Sequence, residues 1–273
     1  MKSIVVPVNF SACAHNAALY AADLARILKA DIHLINIIQV PVTSAEVGMT
    51  QYLYQSMVDT ANNSLKEMQT ELTRYTHGKV RVEVSLEVGG LGAKVKEFCQ
   101  EVKPYAVVLG STGSTLEKFL TGSPLASLLH NLEYPVLVVP ENAPFRHFHR
   151  ILLACDLADI GSGLRQSLPL LKELRAHFGS RFDVITVETP KVLANEQSVF
   201  NSDAWKKPFE DLYPDIHFIR THKVDEGIKE YLKYNDADLV LVFPKKHGLF
   251  EFHVSQSRKF AKQSPIPVMS LHE

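Results

Sequence analysis

The chain has 273 residues, of which 46% are hydrophobic and 22% charged, so it can bury one large core or two modest ones and belongs to the ordinary water-soluble globular class. Its 29 basic and 30 acidic residues nearly cancel, which gives no global field for holding nucleic acid or an anionic membrane surface. Cys13, Cys99 and Cys155 are far apart and lack metal-ligand spacing, so buried thiols in a reducing compartment are the expectation. No apolar run reaches the length of a membrane span and the N-terminus lacks a signal-peptide pattern, so a cytoplasmic location is expected.

In chain order, Ile4–Val8 is a short β-rich run that predicts a buried strand. Ser11 then caps a helix whose apolar stripe runs through Ala14, Ala18, Ala21, Ala22, Ala25 and Leu28. Asp31–Val40 reads as the second strand. Ala45–Tyr75 is helix-compatible, with Met57, Ala61, Leu65, Met68 and Leu72 along one stripe. Val80–Val88 alternates as a third strand, Ala93–Val102 is a helix, Ala106–Leu109 a fourth strand, Pro124–Asn131 a helix and Val136–Val139 a fifth strand. Strands alternating with helices predict an α/β domain with a mainly parallel sheet.

Glu141–His149 reads as a linker, after which the pattern restarts. Ile151–Leu157 lines up with Ile4–Phe10, which sets Asp156 against Asn9. Ser162–His177, Arg181–Val187, His217–His222, Val224–Tyr234, Leu239–Phe243 and Pro267–Leu271 follow in the same order as the elements of the first half. An internal repeat of this size means two homologous domains, over 1–140 and 147–273, each an open, five-stranded, mainly parallel sheet with helices on both faces.

The most specific chemistry lies around the fourth strand. Leu109-Gly110-Ser111-Thr112-Gly113 is followed by Leu120-Thr121-Gly122-Ser123. Glycines permit close backbone approach to a ligand, and the free N–H groups of a helix start attract anions, so this is a candidate phosphate cradle. Ser111, Thr112, Ser114 and Thr115 are candidate phosphate acceptors, with local capping the plainer role. Cys13 stands near a helix start, where a thiolate is favoured, but no histidine is identified as its base, so a catalytic role is not expected. His147, His149, His247 and His253 lack the further ligands of a metal site. No Walker lysine and no magnesium-binding carboxylate cluster follows the glycines, so fast hydrolysis of ATP is not expected.

These residues resemble the universal stress protein family, and the repeat resembles its tandem two-domain members, with the first half the closer match. The resemblance implies a Rossmann-like fold, an ATP site at the C-terminal ends of the first and fourth strands, and a regulatory role without fast catalysis. Carried over by position, Pro7, Asn9 and Ile37 lie near the adenine and Gly89 on the ribose side. Gly110 and Gly113 border ribose and phosphate, and Gly122, Ser123 and Pro124 face the outer phosphates. The resemblance further implies ATP as the ligand, with or without Mg²⁺. It also implies pairing of Val136–Val139 with Val268–Leu271 as an intrachain pseudo-dimer, with a homodimer as a further option.

Three departures stand against full transfer. Asn9 occupies a place usually held by Asp, the spacing of eight residues between Gly113 and Gly122 is one short of the family motif, and Pro124 has no N–H to offer a phosphate. In the second half, the stretch from Phe243 to His253 holds only Gly248, which makes a degenerate copy. The alternative function is a scaffold or interaction module that holds no nucleotide. A slow ATPase or self-phosphorylating protein would need a carboxylate or metal near Ser123, which the sequence does not display.

Overall fold

The computed structural model describes residues 2–39, 51–111, 132–154, 162–188, 209–221, 224–242 and 266–271. It divides into two units, Met1–Phe145 and Arg146–Glu273.

In the first unit, β1 (Lys2–Pro7) is an apolar run with Ile4, Val5 and Val6 wholly buried, as a central strand covered on both faces must be. The chain turns at Phe10, whose φ of 60° is left-handed, and Ser11 starts α1 (Ala12–Leu28). The Ser11 hydroxyl accepts the Ala14 N–H, satisfying one of the free donors of the first turn. Every residue of the expected α1 stripe is buried, and the small alanines let the helix lie close to the sheet. Lys29, left-handed at φ 53°, closes the helix by donating its N–H to the Ala25 carbonyl.

The unit continues with β2 (Ala30–Ile38), α2 (Gln51–Tyr75), β3 (Val82–Val88), α3 (Leu91–Val102), β4 (Ala106–Ser111) and β5 (Val136–Pro140). All ladders are parallel and the strand order is β3-β2-β1-β4-β5. The strands, α1 and α3 match the expected elements to within two residues, and α2 is the described part of the expected helix Ala45–Tyr75, whose residues 45–50 lie outside the described residues. In α2, Ala61, Leu65, Met68 and Leu72 are buried as the stripe requires, whereas Met57 is 40% exposed. Every residue of Gln51–Thr60 except Val58 is exposed, so the helix's first turns lie beyond its packed face and Met57 falls there. The expected helix over Pro124–Asn131 lies outside the described residues.

The second unit repeats the plan with β6 (Arg150–Ala154), α4 (Ser162–Phe178), β7 (Arg181–Glu188), β8 (Asp215–Arg220), α5 (Val224–Tyr234), β9 (Leu239–Val242) and β10 (Val268–Ser270). Its order, β8-β7-β6-β9-β10, is again wholly parallel. Individual hydrogen bonds recur as well. Tyr105 N–H donates to the Ser3 carbonyl at 2.8 Å and Asp238 N–H to that of Arg150 at 2.8 Å. Val107 N–H reaches the Pro135 carbonyl at 2.8 Å and Val240 N–H that of Pro267 at 3.0 Å.

Candidate functional site

In the first unit the strand order reverses between β1 and β4: the chain leaves β1 toward β2 on one side, while β4 lies on the other. Open parallel sheets hold ligands outside the C-terminal ends of their strands at such a point. Pro7, Asn9, Ile37, Gly89 and Gly110 all lie at or just past the C-terminal ends of β1 to β4, so the sheet gathers these five expected site residues on one edge. Gly113, Gly122, Ser123 and Pro124 lie outside the described residues.

The turn after β1 is held from two directions. Val8 donates its N–H to the Ile35 carbonyl at 2.9 Å, and the buried Asn36 amide donates to the Val8 carbonyl at 2.7 Å. Asn9 is exposed, and its side-chain oxygen accepts the Ser11 N–H at 3.2 Å and the Ser11 hydroxyl at 2.6 Å. An Asn oxygen bonding the N–H two residues on is a local turn device. Cys13 is buried, with its sulfur 3.1 Å from the Ser11 hydroxyl. Phe10, between them, is 37% exposed in a left-handed conformation that bulky residues seldom adopt. Sequence reasoning missed Asn36, whose signal is a lone amide within the apolar run Leu34-Ile35-Asn36-Ile37-Ile38.

Gly110 has a sterically enforced identity. A Cβ there would lie 2.1 Å from the Cys13 carbonyl oxygen and 2.9 Å from the Ala14 nitrogen, so only glycine lets the first turn of α1 rest against β4. The glycine therefore brings the start of α1 to the β4 end of the sheet edge. Pro7 and Ile37 are half-buried, and Ile37 packs on the core cluster of Val5, Ile35, Val95 and Val107. Gly89 has φ 142°, open to glycine and strained for other residues, and donates its N–H to the Ile38 carbonyl at 3.0 Å. Lys94, in the first turns of α3, passes over it and meets Glu97 at 2.9 Å and Glu87 at 3.4 Å. The hydrogen bond to Glu97, and then its charge, hold the Lys94 ammonium above its ordinary pKa. Ser111 is buried in β4, which does not suit a surface phosphate acceptor.

The second unit carries a different polar group. Asp183 in β7 is 1% exposed, with the Arg150 Nε 2.8 Å from one carboxylate oxygen and the His217 Nε2 3.7 Å from the other. Tyr231 of α5 tilts against the His217 ring, centroids 5.0 Å apart, and burial first, then Asp183, raise its hydroxyl pKa. Arg150 opens β6 while Asp183 and His217 are third in β7 and β8, so this cluster lies in the N-terminal halves of that unit's strands. His147 and His149 are exposed, their rings stacked with centroids 5.7 Å apart. Among the described residues no group of three or more His, Cys, Asp or Glu side chains is placed to hold a metal ion. No described helix is long and apolar enough to cross a membrane.

A parallel α/β sheet with helices on both faces and a reversal of strand order between β1 and β4 defines the Rossmann-like class. Within that class, the profile of the Universal stress protein family matches residues 1–140, half of the chain, and the chain belongs to that family. A universal stress protein of Methanocaldococcus jannaschii is 26% identical over 141 residues, covering 50% of this chain and 81% of its own. Among solved structures, a universal stress protein from Archaeoglobus fulgidus superposes with a TM-score of 0.75 at 15% identity, covering 99% of this chain and 96% of its own. A putative universal stress protein from Pseudomonas aeruginosa reaches 0.61 at 14% identity, covering 100% and 93%. At these identities the structural likenesses establish the fold.

Proposed function

We propose that the N-terminal unit binds ATP or another adenine nucleotide, with or without Mg²⁺, at the C-terminal ends of β1 and β4. The chain then acts as a regulatory, ligand-sensing protein of the cytoplasm and not as an enzyme. The observation that carries this reading is Gly110, which seats the first turn of α1 directly against β4 at the switch point. That arrangement sets a capped helix start, whose N–H groups and dipole favour anions, beside the strand that leads into the glycine-rich sequence. Ile37 and Pro7 supply an apolar surface of the kind a purine ring needs. Family membership supports the same site.

The C-terminal unit is proposed to bind no nucleotide, because its sequence holds one glycine where the first unit has its glycine-rich stretch. Association belongs to the same proposal, whether between the terminal strands Val136–Val139 and Val268–Leu271 or between two chains. A second reading, an interaction module without nucleotide, draws on the short Gly113–Gly122 spacing and on Pro124. Calorimetric titration of nucleotide-stripped full-length protein with ATP, with and without Mg²⁺ and with AMP for comparison, separates the two. The expected result is saturable binding that Gly113→Trp abolishes. A folded wild type that takes up no ATP at millimolar concentration, weaker than about −4 kcal/mol, would leave the interaction module.

A further inference from the structure

The chain leaves the first unit through residues 140–145, and both α1 and β4 hold that segment. The Asn16 amide donates to the Pro140 carbonyl at 3.0 Å and to the Ala143 carbonyl at 3.1 Å, so both its protons are spent 124 and 127 residues away. One helical turn on, the buried Tyr20 ring meets Phe145 edge-on, centroids 4.9 Å apart. From the other side, Glu141 donates its N–H to the Ser111 carbonyl of β4 at 3.0 Å. Ala143 N–H closes a turn on the Pro140 carbonyl at 3.0 Å, and Pro144 has no N–H to add. Asparagine is a poor residue for a helix interior, and these long-range bonds account for its place in α1.

These contacts bracket one seam. Gly110 leaves no slack between β4 and the Cys13 carbonyl, Ser111 is the next residue of β4, and Asn16 lies about 4.5 Å along α1 from Cys13. The exit segment therefore bridges α1 and β4 at the C-terminal edge of the sheet. A shift of the α1 start against β4 must lengthen an Asn16 bond or the bond from Glu141 to Ser111.

We propose that residues 140–145 are the output of the nucleotide site: a nucleotide that fixes the α1 start against β4 tightens this segment, and Asn16 transmits the change. The inference rests on the nucleotide reading given above. Ligand and exit segment favour the same seated arrangement of α1, so each strengthens the other's hold on it. Local opening of the segment carries the coupling, and amide exchange at Glu141 and Ala143 reports it.

The test is amide hydrogen exchange of residues 140–145 in the full chain, with and without saturating ATP, for wild type, Asn16→Ala and Asn16→Asp. A thermal melt and an ATP titration accompany each. Saturating ATP is expected to slow wild-type exchange at Glu141 and Ala143 at least about fivefold, the low end of such couplings. Asn16→Ala, a better helix former, keeps the wild-type melting temperature while these amides exchange about tenfold faster, the worth of two neutral hydrogen bonds. Asn16→Asp keeps the side-chain size, turns only acceptors on the two carbonyls and releases the segment likewise. Both variants still bind ATP, and in neither does ATP slow exchange. A wild type that binds ATP with unchanged exchange in this segment overturns the inference and leaves the nucleotide reading standing. Variants whose segment still answers ATP do the same, since Asn16 is then merely structural. A folded wild type that binds no ATP overturns both. The wild-type comparison decides alone where a variant fails to fold.

Discussion

A methyl group at Gly110 would have to displace either β4 or the first turn of α1, because its contact with the Cys13 carbonyl is backbone on backbone. Gly110→Ala is accordingly expected to destabilise the protein by about 2–3 kcal/mol, the upper range of overpacking, in urea denaturation monitored by circular dichroism. An unchanged midpoint would mean that α1 does not rest on β4. Burial acts on Cys99 in a different way. Wholly enclosed in the core, its thiol is pushed up to about 12 by loss of hydration alone. In native protein at pH 8 it should resist alkylation, read by peptide mass mapping, and react only as the unit unfolds. Gly110 was legible in the sequence as a glycine after a buried strand. Its partner was not, because the register of a helix against a strand is set by tertiary packing that no local pattern encodes.

Elements in this chain are closed by local hydrogen bonds whose loss has a measurable size. Ser11→Ala removes the α1 cap and is expected to cost about 1 kcal/mol, seen as a lower urea midpoint with an unchanged slope. At the far end of α2, the Tyr75 hydroxyl donates to Asp23 at 2.7 Å and ties the helix to α1. That hydrogen bond, then burial and the Asp23 charge, raise the Tyr75 pKa in the folded protein. A group raised on folding stabilises fully below its unfolded value, here 10.0, and loses that contribution as pH climbs through the folded value. Melting temperature should therefore fall above about pH 10, and Tyr75→Phe should remove that part of the fall. The strands were legible from their β-branched runs, as were the α1 stripe and the Ser11 cap. The exposed start of α2 was not, since Met57 has the right spacing for the stripe and only the extent of the surface beneath the helix decides its burial.

At the scale of the molecule, the two units share a strand order and differ in their polar equipment. The buried Asp183 of the second unit depends on Arg150 for neutralisation. Because Arg150 is itself 43% exposed, Arg150→Ala is expected to cost about 2 kcal/mol, less than a fully buried pair, while Arg150→Ala/Asp183→Leu recovers most of that loss. Neither variant should alter ATP affinity if the site belongs to the first unit alone. The repeat was legible because whole runs of elements recur in order, and the glycine-rich sequence was legible as a motif. The hydrogen bonds that orient Asn9 and seat the β1 turn were not, since they join a loop amide to a cap and Asn36 to a neighbouring strand. Native mass spectrometry of the stripped full-length chain with ATP tests the central claim most directly. One nucleotide per chain, lost in Gly113→Trp and retained in the Arg150→Ala variant, is the expected result. Two nucleotides per chain, or none on the folded wild type, would contradict it.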